Sequence, residues 1–251
     1  KSKIILISGP TASGKSKAAL KIAKKLNGEI INADSMQVYK ELKILTARPS
    51  KTDLNKIDHH LYGFRSVKKE FSSGEWLKLA KKNIKKIRDK NKIPVLVGGT
   101  GLYFKALTDG LVKIPTIPIS VRDKIRRMQN KLGQKKFYLK LLNNDPLVKN
   151  KIDPTDVQRS IRAYEVITFT KKSVFNWYMK TKPSFKKDQF IKIYVDNPKE
   201  ILINKISKRV DQMMKNGAIQ EVKDFLKLDL KSDSNIFKVI GIRAVSYTHL
   251  T

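Results

Sequence analysis

Cysteine is absent from these 251 residues, and acids are scarce, with 22 Asp and Glu against 54 Lys and Arg. The first absence excludes disulfides and thiolate metal sites and fits a cytosolic protein. The second leaves a formal charge of +32. Such an excess favours a polyanionic partner, nucleic acid first. A lysine-rich background competes with that reading, since pairs such as Lys81-Lys82 and Lys85-Lys86 suit an ordinary solvated helix face. No apolar run approaches the ~18 residues that a membrane-spanning helix needs. Histidine occurs three times, and His59 and His60 are adjacent with no acidic cluster near them. Neighbours in sequence point to different sides, so the pair is read as structural rather than metal-binding. There is no internal repeat and no low-complexity linker. Lys1-Ser2-Lys3 runs straight into apolar residues, so no secretory signal is expected.

What is present begins with Gly9-Pro10-Thr11-Ala12-Ser13-Gly14-Lys15-Ser16, a fit to G-x-x-x-x-G-K-[ST]. Ile4 to Ile7 before it reads as a buried parallel strand. Ala18, Ala19, Ile22, Ala23 and Leu26 after it fall at helical spacing. Strand, glycine loop and helix start thus arrive in the order needed to cradle a phosphate or diphosphate. Backbone N–H groups and the helix N-terminus would meet the anion. Lys15 would neutralise a terminal phosphate, and the Ser16 hydroxyl could hold Mg²⁺.

Further strands are expected at 29–33, 93–97 and 190–195, alternating with helices. The second ends at Asp34-Ser35 and the third at Gly98-Gly99-Thr100-Gly101, both at strand ends where open α/β sheets bind ligands. Ser72 with Glu75 forms a capping-box candidate for a helix reaching about Asn91. Pro115 and Pro118 then break the chain, and a basic, strand-free stretch follows. One helix is expected over 121–132, and another follows Asp153-Pro154-Thr155-Asp156. On the latter, Gln158, Arg159 and Arg162 cluster, and the two arginines at i,i+3 could face one phosphate backbone. Asn197-Pro198 reads as the start of a helix with Pro at its first position, carrying Arg209 and ending near Gly217, followed by another over 218–228. At 40% hydrophobic residues the chain can build one large core with a smaller insertion. The expected fold class is α/β, a P-loop NTPase-like core with a parallel sheet flanked by helices, plus a helical insertion domain. The core would span 1–115 and 190–251 and the insertion 116–189.

A phosphate loop alone leaves several chemistries open. A GTPase would need an Asn-Lys-x-Asp run, and there is none. The strand at 93–97 ends in glycines rather than the aspartate that a motor ATPase places there. Asp34 is the carboxylate that the sequence puts close to the loop. Transfer of a group to a nucleophile held by Asp34 survives this elimination, and so does a P-loop small-molecule or nucleotide kinase.

At this point a wider pattern resembles the tRNA dimethylallyltransferase (tRNA isopentenyltransferase) family. It comprises the phosphate loop, Asn32-Ala33-Asp34-Ser35-Met36-Gln37-Val38-Tyr39-Lys40, Thr46-Ala47-Arg48-Pro49, His59-His60-Leu61 and Val97-Gly98-Gly99-Thr100-Gly101-Leu102-Tyr103. Asp156 to Glu165 and Arg209 to Met214 are similar as well. The resemblance implies transfer of dimethylallyl from its diphosphate to N6 of adenosine 37 beside the anticodon. The products would be N6-isopentenyladenosine-containing tRNAs that read codons beginning with U. It also implies that the loop grips the donor's diphosphate rather than ATP, with Mg²⁺ at Ser16. Asp34 would be the general base, with Lys15, Thr100 and Arg209 at the leaving group. Residues 9–16 (Gly9, Pro10, Thr11, Ala12, Ser13, Gly14, Lys15, Ser16) would hold the diphosphate. Asp34, Ser35, Met36, Gln37 and Thr100 would meet the adenine. Gln158, Arg159, Ser160, Ile161, Arg162, Lys238, Gly241 and Arg243 would meet the rest of the tRNA. The expected partners are the tRNA anticodon stem-loop and dimethylallyl diphosphate, without a membrane, for a cytoplasmic monomer.

The resemblance runs to Lys238-Val239-Ile240-Gly241-Ile242-Arg243. Ala244 to Thr251 follow neither it nor an amphipathic period. The chain is therefore expected to be a fragment, with Ser246 to Thr251 not native.

Overall fold

The computed structural model describes residues 2–230 and 235–249. Five parallel strands form one sheet: β1 (Ile4–Ser8), β2 (Gly28–Asn32), β3 (His59–His60), β4 (Ile93–Val97) and β5 (Phe190–Tyr194). Their order is β3-β2-β4-β1-β5. Alternation along the strands sorts side chains to two faces. Ile5 and Ile7 of β1 join Val95 and Val97 of β4 beneath α1 (Lys15–Lys25), against Ala19 and Ala23. Ile4, Leu6 and Leu96 face the other way, against Trp76, Ala80 and Ile84 of α3 (Ser73–Asp89), after the short α2 (Lys51–Lys56), and Tyr103 of α4 (Gly101–Thr108). Both faces are covered, which is why the strands read as continuous apolar runs. Trp76 is fully buried, stacks on Tyr103 at 4.2 Å and donates its indole N–H to the Asn32 carbonyl at 2.8 Å. The capping box at Ser72 and Glu75 forms as expected.

The chain divides into two compact units, residues 1–108 with 185–251, and residues 109–184. The divisions fall a few residues before the expected 116 and 190. The second unit is helical: α5 (Ile119–Asn144), α6 (Val157–Thr170) and α7 (Val174–Tyr178) pack Ile125, Phe137, Leu141, Ala163 and Val166 into a separate core. The helix expected over 121–132 is the first half of α5. Gly133, at φ 71° and ψ 163°, breaks it there, and a second half continues to Asn144.

In the first unit α8 (Lys199–Lys215), α9 (Ala218–Leu226) and α10 (Ile242–His249) complete the order. Pro198 occupies the cap of α8 rather than its first turn. The tail expected to lack a period is helical in α10, with Ile242 and Val245 buried three residues apart in a cluster with Leu42, Leu45, Val222 and Phe225. Leu250 and Thr251 lie outside the described residues.

Candidate functional site at the carboxyl ends of the strands

The connections leave β1 toward β2 on one side and reach β5 on the other, so the order reverses between β1 and β4. The crevice beyond the carboxyl ends of those strands is where an open parallel sheet takes a ligand. The two glycine turns of the sequence both open there.

The first runs from Ser8 into α1. Gly9 has φ 157°, and a Cβ at this position would collide with the Val195 carbonyl. Ala12 at φ 62° and Gly14 at φ 94° turn the backbone into the helix. At the start of α1 no side chain caps the free N–H groups and no acid sits in the first turn. Those donors and the positive end of the helix dipole are left for an external anion. Lys15 donates to the Pro10 carbonyl at 2.9 Å. Burial pulls its pKa down, opposed by the nearby charge of Asp34 and reinforced by that of Arg209. Ser13 is buried and its hydroxyl has no protein partner, whereas Ser16 is exposed on the first turn.

The second turn follows β4. A Cβ at Gly98 would strike the Ala33 carbonyl and come within 2.7 Å of the Asp34 nitrogen, so only glycine lets the two strand ends approach this closely. Thr100 then joins them: its N–H reaches the Ala33 carbonyl at 3.2 Å, and its hydroxyl oxygen accepts the Ser35 N–H at 2.9 Å. Asp34 is fixed from behind. The buried Asn32 accepts the Asp34 N–H at 2.8 Å and donates to the Asp34 and Leu61 carbonyls at 2.9 and 3.0 Å. One carboxylate oxygen of Asp34, Oδ1, accepts the Met36 N–H at 2.9 Å. The other, Oδ2, points toward Gly99 and accepts no hydrogen bond among the described residues. Arg209, on α8, is drawn into the same field: burial lowers its pKa and the Asp34 charge raises it.

Lys15, Asp34, Thr100 and Arg209 thus belong to one unit, and the charge of Asp34 raises the pKa of both Lys15 and Arg209 against their burial. Ser35, Met36 and Gln37 are half-buried beside them. The sequence missed two neighbours. Asn197, read as a helix start, instead donates its side-chain amide to the Ser13 carbonyl at 2.8 Å. Burial, then the charge of Asp34, pushes the pKa of the Tyr62 phenol up. Each follows the carboxyl end of a strand, β5 and β3, and that position was the available signal.

The residues expected to meet the body of the tRNA divide on inspection. Gln158 and Arg159 are exposed on α6 and Arg162 is half-exposed. Ser160 is fully buried, its hydroxyl 3.2 Å from the Gln134 amide, and Ile161 packs on the second core. Ser160 thus faces the core, while Ile161 is half-buried against it. Each arginine carries an ion pair along the helix: Arg159 pairs with Asp156 at 3.1 Å and Arg162 with the buried Glu165 at 3.2 Å. Arg243 is exposed on α10, Gly241 precedes it at φ 102°, and the side chain of Lys238 lies outside the described residues. His59 and His60 are structural. His60 is 2.7 Å from Glu29, and His59 is 2.7 Å from the Ile57 carbonyl.

The family model for IPP transferase matches residues 37–249, beyond Arg243 where the motif-level resemblance stopped. A tRNA dimethylallyltransferase of Pelagibacter ubique is 60% identical over 96% of this chain and 77% of its own length. One from Rickettsia massiliae is 43% identical, over 67% of its length. A crystal structure of a eukaryotic dimethylallyltransferase acting on tRNA superposes with a TM-score of 0.78 at 30% identity, over 91% of this chain and 56% of that one. A tRNA isopentenylpyrophosphate transferase from Staphylococcus epidermidis gives 0.63 at 31% identity, over 98% and 80%. These matches support the P-loop NTPase-like core read from the sheet, and the chain belongs to the IPP transferase family.

Proposed function

We propose that this protein transfers a dimethylallyl group from dimethylallyl diphosphate to N6 of adenosine 37 in tRNAs reading codons that begin with U, working in the cytoplasm. The observation that carries the reading is a crevice holding one well-fixed carboxylate, Asp34, in the field of Lys15 and Arg209 beside an uncapped helix N-terminus. Cations and N–H groups suit a departing diphosphate, and the carboxylate suits an amine that must lose a proton.

In the transfer, N6 of adenine attacks the allylic C1, the bond from C1 to the diphosphate oxygen breaks, and diphosphate leaves with the electron pair. The N6 proton passes to Asp34. An exocyclic adenine amine is a poor nucleophile because its lone pair is drawn into the ring, so a base positioned at the amine lowers the barrier. Oδ1 is occupied by the Met36 N–H, which leaves Oδ2 as the oxygen to take the proton. Lys15, Arg209 and the N–H groups of residues 9–16 stabilise the charge growing on the leaving group. The unpartnered Ser13 hydroxyl is a further donor within that loop. Thr100 holds the Ser35 backbone so that Ser35, Met36 and Gln37 can meet the base. Extruding adenine from its stack is least costly in a single-stranded loop. Assigned to the RNA are the exposed Gln158 and Arg159 of α6, with Arg162 half-exposed on the same helix, and separately the exposed Arg243 of α10, with Lys238 and Gly241 preceding it in the chain.

The donor set also fits Mg²⁺. That ion takes few protein oxygens and completes its shell with phosphate and water, and Ser16 is an exposed hydroxyl on the first turn of α1. Bound there, it would supply positive charge to the diphosphate.

Labelled dimethylallyl diphosphate and unmodified tRNA test the reading: label should appear in the RNA. Phosphoryl transfer from ATP to a small molecule, with no RNA labelled, would establish the kinase instead. Asp34→Ala should abolish transfer, by about 10³-fold or more, and leave tRNA affinity within a few-fold. Retained turnover would remove Asp34 from the mechanism.

A further inference from the structure

The segment expected to meet adenine, residues 34–37, is anchored by a turn that follows it in sequence. Gln37 donates its side-chain amide to the carbonyls of Thr46 at 2.7 Å and Ala47 at 3.2 Å. Two acceptors fix which end of the amide is NH₂, so the Gln37 oxygen is turned away from the turn. The position of Gln37 therefore depends on where Thr46 and Ala47 lie.

That turn is helix-like. The Ala47 N–H reaches the Ile44 carbonyl at 2.9 Å, and the Thr46 hydroxyl reaches the Leu42 carbonyl at 2.5 Å. Like any helical start it leaves N–H groups without partners of its own. They are satisfied from far along the chain. Oε1 of Glu221, on α9, accepts the N–H groups of Lys43 at 2.6 Å and Ile44 at 2.8 Å, and Oε2 accepts those of Ile44 at 3.0 Å and Leu45 at 2.9 Å. One carboxylate thus gathers three consecutive amides, with charge-assisted bonds that are stronger than neutral ones. Beneath it Leu42 and Leu45 pack on Ala218, Val222 and Phe225, so the side of α9 that carries Glu221 is docked rigidly. Burial pulls the Arg48 pKa down, opposed by the nearby charge of Glu221, and Arg48 donates to the Lys40 carbonyl at 2.8 Å.

From this we infer that Glu221 is a positioning residue for acceptor recognition: it fixes the 43–45 backbone, which sets the Thr46 and Ala47 carbonyls, which orient Gln37 toward the base. The inference rests on the transferase reading above. It predicts a loss on the RNA side of the reaction and none on the diphosphate side, because the phosphate loop has no hydrogen bond to this turn.

The test uses the full chain, and wild-type RNA labelling is measured first, so failure of the transferase reading is seen separately. Glu221→Gln keeps the side chain's size but turns an NH₂ toward amide donors. It should lower kcat/KM for tRNA about tenfold, chiefly through KM, with dimethylallyl diphosphate affinity within twofold. In a Gln37→Ala background the same change should cost less than twofold, since both act through one chain of contacts. Losses that multiply, a parallel fall in diphosphate affinity, or wild-type kinetics would each overturn the inference. Hydrogen exchange of the wild type gives an answer even where the variant does not fold. The Lys43 amide, on an exposed residue, should be protected along with those of Ile44 and Leu45, and rapid exchange there would also overturn it.

Discussion

The two ends of the sheet both carry charge, and they use it in opposite ways. At the amino end Glu29 of β2 is fully buried, and its oxygens meet His60 at 2.7 Å, Lys90 at 3.0 Å and Lys92 at 2.9 Å. At the carboxyl end the charge of Asp34 acts on both Lys15 and Arg209, yet no direct ion pair joins them among the described residues. The first cluster is saturated by the protein itself. The second has an uncapped helix, a partnerless Ser13 hydroxyl and a free Asp34 Oδ2 still to satisfy. A saturated cluster contributes to folding, and an open one is completed by what binds. The sheet keeps these tasks on opposite edges, and substitutions should separate them.

The largest effect on stability is expected at the saturated end. Burial would raise the Glu29 carboxyl, but hydrogen bonds from Lys92, His60 and Lys90 and the charge of Lys92 outweigh it and hold the pKa at about 2, against an ordinary 4.5. A depressed carboxylate stabilises the fold above its unfolded pKa and loses that contribution as pH falls through the folded value. The window is therefore about pH 4.5 down to about pH 2. Glu29→Gln should cost about 3 kcal/mol at neutral pH, by the shift and by the loss of a buried paired ion. Chemical denaturation at several pH values checks it: the gap between variant and wild type should close below pH 4.5. Transfer activity at temperatures where the variant stays folded should be nearly unchanged, because no hydrogen bond ties this cluster to the crevice.

The same contrast recurs within one turn of α6 in the second unit. Arg162 is tied to Glu165, a carboxylate with 6% of its side chain exposed. Arg162→Ala would leave that acid buried without its cation, a loss of about 1–2 kcal/mol. Adding Glu165→Gln should restore part of the stability, and thermal unfolding of the single and double variants measures this. An effect on RNA binding without any loss of stability would move Arg162 to the open class.

How far this division was legible in the sequence depends on what fixed each residue. The phosphate loop was readable because its glycines answer a backbone requirement that few other sequences meet. Asp34 and Thr100 were readable as polar residues just past buried strands. Glu221 and Asn197 were not, because their partners lie 178 and 184 residues away and only the fold brings them together. The burial of Ser160 and the packing of Ile161 were hidden for a different reason. A helix turns about 100° per residue, so a contiguous run such as 158–162 cannot all face outward. Part of that run packs into the core of the second unit. Gly133 was a visible break, but the half-helix beyond it carried no caps that would have announced it.

Arg159 gives the smallest effect on stability and the finest test of the comparison. Its pair with Asp156 is exposed, with 75% of the arginine side chain accessible, and such pairs contribute ~0–1 kcal/mol. Asp156 keeps its other task regardless, since Oδ1 accepts the Arg159 backbone N–H at 2.9 Å and caps α6. Arg159→Ala should therefore leave the unfolding free energy within about 0.5 kcal/mol of wild type. Binding of the anticodon stem-loop should weaken, and the slope of log affinity against log salt should fall by about one, the signature of one lost phosphate contact. Titrations at several salt concentrations decide it. A cation that can be removed without cost to the fold but with cost to the salt slope is open in the sense of Lys15. An unchanged slope would make Arg159 one more lysine-like charge on a solvated helix.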